Sequence, residues 1–373
     1  MFKFKEYNYK KYDLLLLFVV ILLGVIGCFL IKQVQIDGEN LLKKQIIGLA
    51  GGFFIVIVIS LIDYHFISKF FIPLYLLNLG LLIMVKLFGV NFNGAQRWLA
   101  FKGFQFQPSE LSKVILIIFF AKLFVLLGNN LNKIYSLALS LFLMAIPTFL
   151  ILTQTDLSSS MVLIFVFTMM IYVAGLSYKI IIPTILIGTP ALAGIIWYVQ
   201  QDYQGLLNYS QQQRVLSIIT PELYPAIMWQ QENSIQAIGS GGLYGKLITN
   251  AEQIRGYSYV PISESDFIFS VAGEEFGFIG SFILIMIFAL LIFICLITSK
   301  QASDNLGKYI SIGIASMFMF QVFVNIGVAT SILPNTGLPL PFLSYGLSSL
   351  LSSMIAVGMM LNIRLQRKVG DNS

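Results

Sequence analysis

Between Pro261 and Glu275 the chain reads PISESDFIFSVAGEE. This places four of its 17 acidic residues (Glu264, Asp266, Glu274 and Glu275) where a polar stretch runs into a long apolar one. An ionised carboxylate at a bilayer centre costs on the order of 2.5–3.5 kcal/mol, and less near the interface. Carboxylates in such a position either cap a helix, accepting hydrogen bonds from its free backbone N–H groups, or serve as positioned bases. Groups able to meet negative charge recur in other polar segments. NGAQRW sets Arg97 beside Trp98; arginine is a rigid fork of donors suited to phosphate, and tryptophan favours the headgroup zone. An arginine that only binds lipid headgroups would look the same. QPSELSK has Pro108 at a helix start, Glu110 in the first turn, and Lys113 three residues on. Those two can pair on one helix face, which leaves a structural ion pair and a substrate contact both open.

TQTDLSSS sets Asp156 between two apolar runs, again a fair helix cap, and QQQRVLSIITP carries Arg214. In AIGSGGLYGK, Ser240 stands among Gly239, Gly241, Gly242 and Gly245. Such glycines permit positive φ and close approach of backbone to an anion. The segment lacks the Lys-Ser/Thr ending of a nucleotide-binding loop, so a tight turn is the default reading. NTGLPLPFLSYGLSS, with Gly337, Pro339 and Pro341, interrupts two apolar runs; broken backbone at that depth is tolerated only inside protein or along a cavity. Cys28 and Cys295 lack metal-ligand spacing, and the lone His65 lies beside Asp63 in a short connection. A zinc site of the usual kind is excluded on ligand count. Asp156 and Asp266 are oxygen ligands of the kind a divalent cation, Mg2+ or Mn2+, would take, although no motif demands one.

The elements that must position these residues are membrane helices. Hydrophobic residues make up 57% of the chain and charged residues 11%, against about 25% charged in a soluble domain. Candidate spans are Leu14–Ile31, Ile46–Ile62, Phe70–Phe88, Val114–Gly128, Ile134–Thr153, Ser160–Leu176, Ile180–Val199, Phe278–Thr298, Leu306–Leu333 and Phe342–Ile363. The expected fold is therefore an all-α integral membrane protein of about ten helices. It forms one polytopic domain over residues 1–373. Lys and Arg are enriched at Lys3, Lys5, Lys10, Lys11, Lys69, Lys133, Lys179, Lys300, Lys308, Arg364, Arg367 and Lys368. This bias puts both termini in the cytoplasm, with Lys32, Lys43 and Lys44 counting against it. The net charge of +6 follows from this topology and gives no reason to invoke nucleic acid. Two outer segments are long: Gly89–Lys113, and a polar loop over about 200–265 between helices 7 and 8. The first apolar run lacks a cleavage site and reads as a span, and no internal repeat of an inverted transporter is present.

In their order along the chain, NGAQRW, QPSELSK, TQTDLSSS, QQQRVLSIITP, AIGSGGLYGK, PISESDFIFSVAGEEFGFIG and VNIGVATSILPNTGLPLPFLSYG resemble the SEDS family (shape, elongation, division and sporulation). The resemblance covers about residues 14 to 363. It implies a ten-helix membrane glycosyltransferase that polymerises lipid II into peptidoglycan on the outer membrane face, partnered by a class B penicillin-binding protein. The family's essential aspartate falls in a P-E-x-H-T-D-F-I-F pattern that matches Asp266, implying a catalytic base. The matched motifs imply substrate contacts at Arg97, Glu110, Lys113, Asp156, Arg214, Ser240 and Glu264. The chain departs from the family pattern at Ile262, Glu264 and Ser265, in TQTDLSSS where Q-P-D-L-G-T is usual, and at Leu347 in place of a second glycine. The alternative is a flippase for lipid-linked precursors, or a non-catalytic scaffold that recruits the transpeptidase.

Overall fold

The structure, a computed structural model, describes residues 12–34, 40–92, 95–101, 104–201, 203–205, 212–213, 215–217, 220–249 and 259–366. Its elements in chain order are α1 (Leu14–Val34), α2 (Leu41–Leu61), α3 (Tyr64–Lys69), α4 (Phe71–Phe88), β1 (Val90–Phe92), β2 (Ala95–Phe101), β3 (Phe104–Phe106), α5 (Pro108–Leu127), α6 (Ile134–Thr153), α7 (Leu157–Val173), α8 (Tyr178–Val199), α9 (Pro225–Ser240), α10 (Lys246–Thr249), α11 (Ile268–Gln301), α12 (Asn305–Ala329) and α13 (Leu347–Leu365). Among the described residues, nine helices are long and apolar enough to cross a membrane, and the apolar α7 is shorter. At 1.5 Å per residue, the 17 residues of α7 reach about 25 Å. Every expected span thus has its helix.

Five boundaries differ by four or more residues from the sequence reading. The Val114 span begins at Pro108, the Phe278 span at Ile268, the Ile46 span at Leu41, and the Phe342 span only at Leu347, while the Leu306 span ends at Ala329. The first two shifts share a cause. Ser109, Glu110, Ser112 and Lys113 are buried against other helices, as are Glu274 and Glu275. Polar groups in the interior of a bundle find partners there, whereas a hydropathy pattern registers only residues fit for lipid. The same logic orders the bundle. α5, α12 and α13 have most of their span buried and carry polar side chains such as Ser311, Gln321, Asn325, Ser352 and Asn362. α12 packs on α5, α7 and α11, and α13 packs on α2 and α5. Peripheral helices turn Phe18, Ile47, Phe54 and Leu87 outward. Of all the spans, α8 alone has none of its membrane-length window buried.

Gly89–Lys113 is not a plain loop. It holds a three-stranded antiparallel sheet in the order β1-β2-β3, with Asn91 paired to Gln96 and Leu99 to Phe106. The dipeptide Asn93-Gly94 stands between the first two strands in the sequence and is a strong hairpin signal. Within residues 200–265, which the sequence presented as a polar loop, α9 is a 16-residue helix that packs on α11.

Candidate active site

Six of the expected site residues gather where β2, α5, α7, α11 and the 331–346 connection meet. Asp156 caps α7, and its carboxylate accepts from the Ser159 backbone N–H. Its Oδ1 lies 3.2 Å from that nitrogen and 3.1 Å from Ser158 Oγ. Its Oδ2 lies 3.2 Å from Ser109 Oγ and 3.3 Å from Gln107 Nε2. The Arg97 guanidinium, on β2, donates to the Thr155 carbonyl and sits 3.9 Å from Asp156 Oδ1. Burial pushes against ionisation of Asp156, but the Arg97 charge and the Ser159 and Ser158 hydrogen bonds outweigh it. They hold its pKa below the usual carboxylate range. Arg97 Nε is buried with no hydrogen-bond partner among the described residues. Glu110 and Lys113, both in the first turns of α5, form a 2.7 Å ion pair. The pair is almost wholly buried, with Glu110 Oε2 left without a hydrogen bond.

Asp266 stands one residue ahead of the cap of α11. The cap itself is Phe267, which carries no side-chain capping bond, so Asp266 does not occupy the capping position that its sequence context offered. Its carboxylate faces the 331–346 connection: a Cβ built on Gly337 would lie 3.1 Å from Asp266 Oδ2. That connection reaches Asp156 as well, because Ser158 Oγ lies 2.8 Å from the Thr336 carbonyl. Asp266 and the Arg97–Asp156 pair therefore border the same segment. Glu264 is partly exposed, and its carbonyl accepts from the Tyr345 backbone N–H at 2.8 Å.

Backbone strain marks the same region. Among the described residues, the non-glycine positions with positive φ are Thr155, Ile262, Ser331 and Phe342. Two of these are β-branched, for which that region is a genuine outlier. All four border the shared segment or the two acidic positions beside it. Strain of this kind costs about 1–3 kcal/mol per residue and clusters at functional sites.

Other expected site residues fall elsewhere. Ser240 closes α9, with its hydroxyl 3.1 Å from Glu274 Oε1, and Glu274 is ion-paired to the buried Lys246. The glycines around it interlock with a break in α11 at Gly277, where φ is 66°. The break frees the Phe278 and Ile279 N–H groups, which donate to the Gly242 and Leu243 carbonyls at 2.8 and 3.2 Å. Side chains at Gly241, Gly245 or Gly277 would collide with the facing backbone. The glycines thus serve close packing of two backbones. Arg214, the remaining expected contact, lies outside the described residues. No group of three or more His, Cys, Asp or Glu among the described residues is placed to hold a metal ion, and both Asp156 oxygens are engaged by protein donors. The sequence reading missed Asn325 and Ser344, whose bonds to the acidic segment are given below. A lone Asn in the apolar run VFVNIGVA is the kind of signal that could have found the first.

Comparison with known proteins bears on the family and the fold. Residues 11–369 match the family model described as Cell cycle protein, FTSW_RODA_SPOVE. The chain is similar to a probable peptidoglycan glycosyltransferase FtsW of Trichlorobacter lovleyi, 32% identical over 96% of this chain and 94% of the relative. It is also similar to the peptidoglycan glycosyltransferase MrdB of Escherichia coli, 31% identical over 97% and 95%. Among solved structures it resembles a chain of a peptidoglycan synthase complex that coordinates polymerization and crosslinking. That match has a TM-score of 0.81 and 28% identity, and covers 95% of this chain and 97% of the other. It resembles the rod shape determining protein RodA of Thermus thermophilus with a TM-score of 0.72 and 27% identity over 98% and 100%. The chain belongs to the FtsW/RodA/SpoVE family of multi-pass membrane proteins.

Proposed function

We propose that this protein is a peptidoglycan glycosyltransferase, polymerising lipid II into glycan strands on the outer face of the cytoplasmic membrane with Asp266 as its base. Near full-length similarity to two peptidoglycan glycosyltransferases supports the reaction. The placement of Asp266 carries the residue assignment. Its carboxylate stands ahead of the helix cap and faces Gly337 in the 331–346 connection. In the reaction, the oxygen of an acceptor sugar hydroxyl bonds to the anomeric carbon of the donor. The bond from that carbon to the lipid pyrophosphate breaks, and its electron pair leaves with the phosphate. The hydroxyl proton passes to Asp266. One such displacement inverts the anomeric centre, so a single base suffices. Arg97, whose side chain is 18% exposed, would meet the charge that grows on the pyrophosphate. The buried Glu110–Lys113 pair stiffens the start of α5 beside it. A class B penicillin-binding protein is the proposed partner, on the likeness to the synthase complex.

The test uses purified full-length protein with its transpeptidase partner and lipid II. Asn caps a helix nearly as well as Asp but takes no proton. Asp266→Asn should therefore fold, bind the partner, and lose glycan synthesis by at least about 10²-fold. Glu264→Gln, run in parallel, should retain most activity. A fully active Asp266→Asn beside an inactive Glu264→Gln would move the base to Glu264. Glycan synthesis unchanged in both would remove the base from this segment.

A further inference from the structure

Three successive carbonyls in the acidic segment are each tied down. The Glu264 carbonyl accepts from the Tyr345 N–H at 2.8 Å, and the Ser265 carbonyl accepts from Ser344 Oγ at 2.6 Å. The Asp266 carbonyl accepts from Asn325 Nδ2 at 2.9 Å. The first two donors come from the 331–346 connection. The third comes from the body of α12, and the same nitrogen donates to the Leu338 carbonyl at 2.7 Å. Both acceptors are carbonyls, so the amide nitrogen must point this way. Asn325 is 1% exposed, and a buried amide is costly unless hydrogen-bonded. Those two bonds are thus the reason such a group persists inside a membrane helix. What they join matters: one segment carries the Asp266 carboxylate, and the other, through Gly337, faces it.

We infer that Asn325 is a positioning residue of the glycosyl transfer, fixing the Asp266 carboxylate against the Gly337–Leu338 backbone by donating to both segments at once. This rests on the reading of Asp266 as the base. A base placed on a non-helical lead into α11 gains its precision from a rigid element behind it, and α12 is among the most buried spans. Misplacement by about 1 Å can cost on the order of 10²-fold in rate. The molecule also contains a natural control. Gln231, on α9 and fully buried, makes the same double donation, to the Val328 and Leu333 carbonyls at 2.9 and 2.8 Å. It braces the end of α12 and the start of the 331–346 connection, and its two bonds go to neither residues 264–266 nor the Gly337–Leu338 backbone.

The experiment measures kcat and KM with lipid II for the full-length protein in complex with its transpeptidase, alongside melting temperatures. Asn325→Ala should lose about 10²-fold or more in kcat while KM stays within about threefold. Asn325→Gln, which keeps both donors on a longer arm, should recover at least about tenfold of that loss. Gln231→Ala, matched for lost hydrogen bonds and with a similar melting temperature, should lose less than about fivefold in kcat. Asn325→Ser, with one donor, should fall between Ala and wild type, and decides by the same criteria if the alanine variant does not fold. Equal kcat losses at Asn325 and Gln231, or an Asn325→Ala or Asn325→Ser enzyme with wild-type kcat, would overturn the inference. So would a loss confined to KM. Asp266→Asn keeps the two readings apart. If it is inactive while Asn325→Ala is active, only the positioning role falls. If Asp266→Asn is itself fully active, the base assignment falls first.

Discussion

Arg97 has a structural duty beside the catalytic one proposed for it, and pH isolates the structural one. Its guanidinium touches the Thr155 carbonyl and stands beside an Asp156 that is only 1% exposed. Removing one partner of a buried ion pair costs about 3–5 kcal/mol. Here Ser109, Ser158, Ser159 and Gln107 still serve the carboxylate, so Arg97→Ala should destabilise by about 2 kcal/mol. Because the folded pKa of Asp156 is depressed, the stability it contributes is present above the unfolded carboxylate value. That stability is lost as pH falls through the folded one. The gap between wild type and Arg97→Ala should thus be full at neutral pH and close below about pH 4. Thermal unfolding across that range reads it directly. A gap independent of pH would mean that Arg97 does not act through Asp156.

At the other ends of the helices, the short α3 works as a clasp. His65 Nδ1 lies 2.9 Å from Asp63 Oδ1, and its Nε2 lies 2.9 Å from Asp304 Oδ2. The Tyr64 hydroxyl donates to Asp304 Oδ1 at 2.7 Å, and the Tyr64 N–H donates to Asn362 Oδ1 at 2.9 Å. Gln366 adds a 3.0 Å bond to Asp63. Asp304 meanwhile caps α12, so α3 joins the start of α12 to the end of α13. The Asp304 hydrogen bond raises the His65 pKa against the opposing effect of burial, with Asp63 adding to the rise. A raised value means that this stability is fully present below about pH 6.5. It fades as pH climbs through the folded pKa. His65→Gln should therefore cost most near pH 6 and least near pH 9. With the side chain 41% exposed, the cost should stay within about 1 kcal/mol. A melting-temperature difference that grew with pH would refute the ionic clasp. Asp63 beside His65 was legible in the sequence, but Asp304 and Asn362 were not, because these partners of His65 and Tyr64 lie 239 to 298 residues away. The apolar runs were legible since lipid contact selects them residue by residue. Glu110, Lys113 and Glu274 blurred the helix starts because hydropathy counts each charge singly and does not register the ion pairs that offset them. Asp266 was visible by motif, while Asn325, which holds its backbone, was hidden by distance along the chain.

For the whole molecule, hydrogen bonds sort the helix ends into two faces. One face joins β2, the starts of α5 and α7, the lead into α11, and the connection from α12 to α13. The other joins the start of α1 to the end of α13, α3 to the start of α12, and the α5–α6 connection to the α7–α8 connection. Chain order fits ten alternating crossings, with α9 and α10 lying between two of them. Lys69, Lys133, Lys179, Lys300, Lys308 and Arg364 belong to the second face. The excess of Lys and Arg in its short connections is the reason to propose that this face is cytoplasmic and that the Asp266 face is outside. Cysteine labelling checks this once the native Cys28 and Cys295 are replaced. Exposed positions on opposite faces are Asn130, between α5 and α6, and Glu222, just before α9. In intact cells, a membrane-impermeant thiol reagent should label Glu222→Cys and spare Asn130→Cys, and should reach both after lysis. Labelling of Asn130→Cys alone in intact cells would invert the molecule. It would place Asp266 on the cytoplasmic side, where a lipid-linked precursor would be handled before it crosses the membrane, and the flippase reading would replace the polymerase.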